Sequence, residues 1–218
     1  YSHFCELAIW SLQIAKIDCE IHGYAPGQHI LPVLALRKGG SRQHLASSSH
    51  IQPVHMVSSS VPAKEEGGGA TSVPVLVMPE GRVLTDSWEI LKECGMSPID
   101  ASIQSNFDSE LGPLTRQLAY SYLLKPTNAG VWEGLCTDGY SATWRCVWGF
   151  GFGGQVTKQL SSTFATHDAS ATSACRTRLE GVFAALSERV RSRSGRFLAG
   201  DAIGAEDIAL AVGKPAPL

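Results

Sequence analysis

Three short stretches of this chain carry side chains whose types and spacing could do chemistry. In Tyr1-Ser2-His3-Phe4-Cys5 a hydroxyl, an imidazole and a thiol lie together where a helix is expected to begin. Free backbone N–H groups and the helix dipole favour an anion at such a place, and a thiol held there ionises more readily. Taken alone, the same stretch reads as a Ser cap with Cys5 on the buried side. Val73-Pro74 enters an apolar run. A cis bond there would bend the chain and leave the N–H and C=O of Val73 free to pair with an extended peptide; alone, the pair reads as an edge strand bearing a proline. Thr85-Asp86-Ser87 offers a carboxylate, a hydroxyl and helix-start amides able to grip the ammonium and carboxylate of an amino acid. Alone, it too reads as a cap.

The elements around these stretches follow from periodicity. Cys5, Ala8, Ile9 and Leu12 have the i, i+3, i+4, i+7 spacing of one apolar helical stripe, so a helix begins near His3. Ile17-Asp18-Cys19-Glu20-Ile21 alternates with period two and predicts a half-buried strand. The stretch 39–71, with its Ser47-Ser48-Ser49, Ser58-Ser59-Ser60 and Gly67-Gly68-Gly69 runs, reads as a flexible insertion unable to bury itself. A hairpin follows, from a strand over 73–78 through Pro79-Glu80-Gly81 to a strand at Val83 and Leu84. Asp86 or Ser87 then starts a helix carrying Ile90 and Leu91 and ending at Gly95.

From about Asn106 the character changes, and no strand signal interrupts the helical spacing that follows. Phe107, Leu111, Leu114, Leu118 and Tyr122 mark one long helix, and Leu179, Val182, Phe183, Leu186 and Val190 mark a second over 173–191. The Trp-, Gly- and Phe-rich region between them, 131–164, is read as helical. A linker with Pro98 over 97–105 divides an α/β part, 1–96, from an all-helical part, 97–218.

The totals limit the function. With 18 Lys+Arg against 20 Asp+Glu the net charge is -2, so there is no electrostatic footprint for nucleic acid or an anionic membrane. Val73 to Met78 and the other apolar runs are too short to span a bilayer. The 6 Cys, at 5, 19, 94, 136, 146 and 175, show neither CxxC pairs nor Cys/His clustering, so no metal is expected. Reduced thiols and a cytoplasmic location follow from the lack of a cysteine-dense scaffold or a signal-peptide pattern.

Taken in this order, the three stretches resemble the glutathione transferase superfamily, closest to its Ser-type tau, theta and zeta classes. The resemblance implies a thioredoxin-like α/β N-terminal domain over 1–96 and an all-α C-terminal domain over 97–218. It implies that Ser2 donates a hydrogen bond to the glutathione thiolate and that the backbone of Val73 pairs with the cysteinyl part. Pro74 matches the cis-proline, and Asp86 with Ser87 match the pair holding the γ-glutamyl end. Glutathione is then the co-substrate, a small hydrophobic electrophile the second substrate, and a homodimer the assembly. Phe197-Leu198-Ala199-Gly200-Asp201 followed by Ala205-Glu206-Asp207-Ile208-Ala209 is similar to the family's folding motif. There are three departures. The family's first strand, expected just before Tyr1, is not in the sequence; Gly204 replaces the usual Ser or Thr cap, although Asp207 keeps the acidic position of a capping box; and the 39–71 stretch is longer than the family's. Arg37 and Lys38 are the candidates for the glycyl carboxylate.

The implied reaction is attack of the glutathione sulfur on the electrophile. A free thiol has a pKa of roughly 8.5, which a helix N-terminus or a nearby donor lowers to about 3.5–7.5. Ser2 would act as a donor rather than a base. Tyr120, Trp144 or Trp148 would line an apolar pocket for the electrophile, or else sit in the helical core. Two other readings remain: a glutathione-dependent thiol oxidoreductase using Cys5, and a non-catalytic binding protein with the same fold.

Overall fold

The structure, a computed structural model, describes residues 2–25, 27–37, 54–59, 72–96, 101–192, 195–198 and 200–213, with 54–59 and 101–102 as backbone alone. The chain is mostly helical with one small sheet. Two compact units divide it. The first is Tyr1–Ile99 with Gly204–Val212, and the second is Asp100–Ile203 with Gly213–Leu218. The segment 204–212 thus returns to the first unit, whereas the sequence reading placed all of 97–218 in the second.

In the first unit, α1 (His3–Ile14) leads into β1 (Cys19–Tyr24), then α2 (Ile30–Arg37), β2 (Val54–Ser59), β3 (Val75–Val77), β4 (Val83–Leu84) and α3 (Ser87–Glu93). The four strands lie in the order β1-β2-β3-β4. β1 and β2 are parallel, and α2 lies within the crossover that a parallel pair requires. The pairs β2–β3 and β3–β4 are antiparallel. The turn between β3 and β4 uses Gly81 at φ +95, a backbone that glycine adopts without steric cost. Arg82 in that turn reaches Glu93 at 2.6 Å and so ties the hairpin to the end of α3.

β2 corrects the sequence reading of 39–71 as an insertion without an element. Composition averaged over that window hides Val54-His55-Met56-Val57, a short run with two β-branched valines that pairs on both edges. The rest of 39–71 lies outside the described residues. α2 was also not expected. Its Pro32 falls in the first turn, where a missing N–H breaks no helical bond.

β3 is buried on both sides. Val75 and Val77 pack with Cys5, Val33, Leu36 and Val73, while Leu76 packs with Ala8, Leu12, Leu84 and Ile90. At about 25 cal/mol per Å² of apolar surface, fully burying one such side chain contributes about 1.5–3 kcal/mol. The last helix, α10 (Ala205–Gly213), buries Ala205, Ile208, Ala209 and Val212. Asp207 accepts a hydrogen bond from the Gly204 N–H at 2.9 Å, the carboxylate half of a capping box that needs no side chain on Gly204.

The second unit is helical: α4 (Ala101–Asn106), a π turn over Phe107–Leu111, α5 (Gly112–Leu123), α6 (Ala129–Thr137), α7 (Ala142–Val147), a kinked turn over Trp148–Phe152, α8 (Gly153–Thr163) and α9 (Ala169–Arg191). Helix therefore starts at Ala101, inside the stretch read as a linker; 97–100 lie outside the described residues. α5 packs on α9, with Arg178 pairing Glu110 at 2.7 Å and the Cys175 thiol donating to the Leu114 carbonyl.

Tyr120, Trp132, Cys136, Trp148 and Leu160 form the core of this unit, with Trp144 packed against it. Trp132 meets Tyr120 edge-on at 6.2 Å and donates its indole N–H to Thr157 at 2.9 Å. Tyr120 and Trp148, expected as pocket-lining candidates, are buried core residues instead. The chain kinks at Gly151, φ +111, so that Trp148 folds back over Gly153. A Cβ on Gly153 would sit 2.5 Å from the Trp148 indole nitrogen, whereas one on Gly154 meets nothing within 4 Å. Gly153→Ala is therefore expected to destabilise the chain by about 1–3 kcal/mol through overpacking, and Gly154→Ala to stabilise it by up to about 1 kcal/mol. Chemical denaturation of the two variants checks this.

Candidate functional site

Ser2 is the N-cap of α1. Its backbone is extended, at φ -126 and ψ 115, and its Oγ accepts from the Cys5 N–H at 3.4 Å. That bond is long, and it uses the hydroxyl only as an acceptor; the O–H proton is left to donate. Capping and thiolate donation are therefore compatible roles for one hydroxyl. Cys5 is 4% exposed and packs in the same cluster as Val73, so the first turn of α1 is anchored beside the start of β3.

The Val73–Pro74 bond is cis. Both residues are buried, and among the described residues none hydrogen-bonds the backbone N–H or C=O of Val73. Arg37, at the end of α2, donates through Nη2 to the Ser72 hydroxyl at 2.8 Å and to the Ser72 carbonyl at 3.4 Å. This brings a guanidinium next to Val73. Its partners among the described residues are neutral oxygens, and partial burial pulls its pKa down. Arg37 is thus one of the two carboxylate-binding candidates positioned here; Lys38 lies outside the described residues.

Asp86 is the N-cap of α3, and its Oδ1 accepts from the N–H groups of Trp88 at 2.9 Å and Glu89 at 3.0 Å. Among the described residues no donor meets Oδ2, and the residue is exposed. Ser87, next to it, is 2% exposed. α1 packs on α3, and Cys19, just past the end of α1, packs against the same core cluster as Cys94, the C-cap of α3. The two helices consequently run in the same sense, and their N-terminal caps, Ser2 and Asp86, face one end of the unit. The structure brings the first turn of α1, Val73-Pro74 and Arg37 together, with the Asp86-Ser87 cap at the same end.

None of the thiols with a resolved shift is poised to ionise. Burial pushes Cys19 up to about 11, helped by Asp18, Cys94 and Glu20; burial first and Glu93 second push Cys94 to about 11; burial takes Cys136 to about 12. Trp132 and Arg37 carry no motif of their own. A buried indole at helical spacing and a basic residue at a helix end look alike whether or not they serve a site.

No protein-family model, curated protein or solved structure matches this chain. Among the described residues no helix is long and apolar enough to cross a membrane.

The thiol environments give a direct test. Cys146 is exposed, and a disulfide reagent near neutral pH is expected to modify it first, with Cys19, Cys94 and Cys136 reacting on unfolding. Because the folded pKa values of those three exceed the ordinary thiol value, the folded state holds more protons above it. Stability is present below the unfolded value and is expected to fall as pH rises from about 9 towards 11. Mass-resolved labelling and denaturation at alkaline pH measure the two effects.

Proposed function

We propose that the chain is a glutathione transferase that binds glutathione at the end of the first unit formed by the first turn of α1, Val73-Pro74 and the Asp86-Ser87 cap, and conjugates its thiolate to a small hydrophobic electrophile. In this reading the first unit is a thioredoxin-like domain. The observation that carries it is that Cys5 and Val73 belong to one core cluster. It sets a hydroxyl with a spare proton and a helix N-terminus beside a buried backbone amide pair that no described residue engages.

Each part of the tripeptide meets a matching group. An extended cysteinyl residue pairs with the N–H and C=O of Val73 as one more strand would. Its sulfur then lies by α1, where the dipole and the Ser2 hydroxyl stabilise the anion. The γ-glutamyl ammonium suits Asp86 Oδ2, whose companion oxygen is already held by two amides. The glycyl carboxylate suits Arg37. The proton leaves the thiol before attack, and the C–S bond forms as the electrophile's leaving group departs or its double bond takes the electron pair. The protein serves as a cytoplasmic homodimer in this reading.

A redox role for Cys5 has less support, since the thiol is buried in the core cluster. A fold that binds without catalysis would keep Asp86 and Val73 but need no donor at Ser2.

Ser2→Ala separates these readings. Losing the cap alone costs about 0.5–2 kcal/mol of stability at every pH. Losing a hydrogen bond to a thiolate, worth about 1.5–3 kcal/mol, is expected to raise the pKa of bound glutathione by about one to two units while affinity changes little. Conjugation of a generic aromatic halide as a function of pH reads this, and an unchanged profile contradicts the assignment. Asp86→Asn keeps the cap oxygen and removes the charge; it is expected to weaken glutathione binding roughly 10- to 150-fold by calorimetry with little loss of stability.

A further inference from the structure

The kinked turn of the second unit holds an aromatic side chain out of the core. Phe150 is 91% exposed, and Val147 and Phe152 on either side of it are 42% and 37% exposed. A single exposed apolar residue is ordinary, but three within the six residues 147–152, one of them a nearly bare phenyl ring, form a patch. The backbone fixes this exposure. Phe150 leaves the helical region at ψ 18, and Gly151 at φ +111 redirects the chain into α8. The neighbouring rings are already packed on one another: centroids lie 6.3 Å apart for Trp144 and Trp148, 5.4 Å for Trp144 and Phe152, and 6.1 Å for Trp148 and Phe152. The Trp144 indole N–H is held by the Cys136 carbonyl at 3.0 Å. Phe150 stands outside that cluster, on a turn that the cluster makes rigid.

Charge is one-sided here as well. No Asp or Glu occurs between Asp138 and Asp168, and Arg145 on α7 and Lys158 on α8, the charged residues of that stretch, are both cationic and exposed. The ion pairs among the described residues lie elsewhere. The net charge of -2 averages this imbalance away, so the lack of a membrane footprint over the whole chain does not extend to this turn.

We propose that the turn over Trp148–Phe152 is a peripheral docking site for an anionic lipid surface, with Phe150 entering the interface and Arg145 and Lys158 meeting acidic headgroups. Aromatic rings settle at headgroup level, and cations near a membrane carrying phosphatidylserine are drawn to it. The contact is superficial, resting on a small apolar area and two charges. A second copy of the chain fits this patch less well. In a two-fold contact the patch would face itself and bring Arg145 and Lys158 of both copies together with no carboxylate between them. Three apolar side chains also fall short of the roughly 800 Å² per partner of a stable protein interface.

The test is sedimentation of the full chain, without glutathione, with vesicles of phosphatidylcholine alone and of phosphatidylcholine mixed with phosphatidylserine, at low and at high salt. The chain is expected to sediment with the mixed vesicles, to stay largely in solution with the neutral ones, and to be released as salt rises. Phe150→Ser is expected to lower partitioning roughly tenfold or more, and Arg145→Gln and Lys158→Gln roughly fivefold each. Because the Phe150 ring is exposed, Phe150→Ser is expected to keep its denaturation midpoint, so that lost binding is distinguished from lost fold. Equal binding to both vesicles, no binding to the mixed vesicles at millimolar lipid, or unchanged binding by Phe150→Ser overturns the proposal. So does a lipid-free dimer, seen by analytical ultracentrifugation, that Phe150→Ser dissociates.

Discussion

β3 is the constraint on which the first unit depends. Three consecutive residues, Val75, Leu76 and Val77, are all buried, so the sheet must be covered on both faces. Alternation then dictates what covers what: Val75 and Val77 call for α2, and Leu76 calls for α1 and α3. A strand buried on both faces also cannot leave its edges bare, since unpaired N–H and C=O groups away from water cost about 1–3 kcal/mol each. β2 and β4 supply those bonds. The residue pair entering β3, Val73-Pro74, is buried and Val73 is held in the same core, so the Val73 backbone is fixed, and among the described residues none hydrogen-bonds it.

The polar groups of the site follow from helix ends rather than from the core. A helix must satisfy its first amides, and Ser2 and Asp86 do so. Each keeps something in reserve, a hydroxyl proton in one case and a second carboxylate oxygen in the other. Arg37 is a different case. It lies against neutral oxygens at the end of α2, an arrangement that stabilises a cation less than a carboxylate would. An arriving anion would therefore gain more from Arg37 than from a surface residue already paired, such as Arg82.

Much of this was legible in local patterns. The stripe of Cys5, Ala8 and Leu12, the Pro79-Glu80-Gly81 turn and the Asp86 cap each depend on residues a few positions apart, and each lies where its spacing indicates. The long α5 and α9 carry enough turns for the helical period to stand out. β2 was lost because its pairing partners are far away in sequence and its flanks are Ser- and Gly-rich, so that its worth is decided by β1 and β3 rather than by its own composition. Trp148 and Tyr120 were ambiguous for a related reason: an aromatic on a helix is core or cleft according to what faces it, here Trp132 and Leu160. Likewise, the position of Arg37 beside Ser72 is a contact between residues 35 apart. No local pattern carries it.

The glutathione site we propose lies at one end of the first unit, built from the first turn of α1, Val73 and the α3 cap. Amide chemical-shift mapping of the isotope-labelled chain during titration with reduced glutathione tests it most directly. Binding there is expected to give saturable shifts concentrated at Ser2 to Cys5, Ser72, Val73 and Asp86 to Trp88, with the Arg37 side-chain resonance moving alongside them. Saturable shifts confined to other residues, or none at millimolar glutathione, would contradict it.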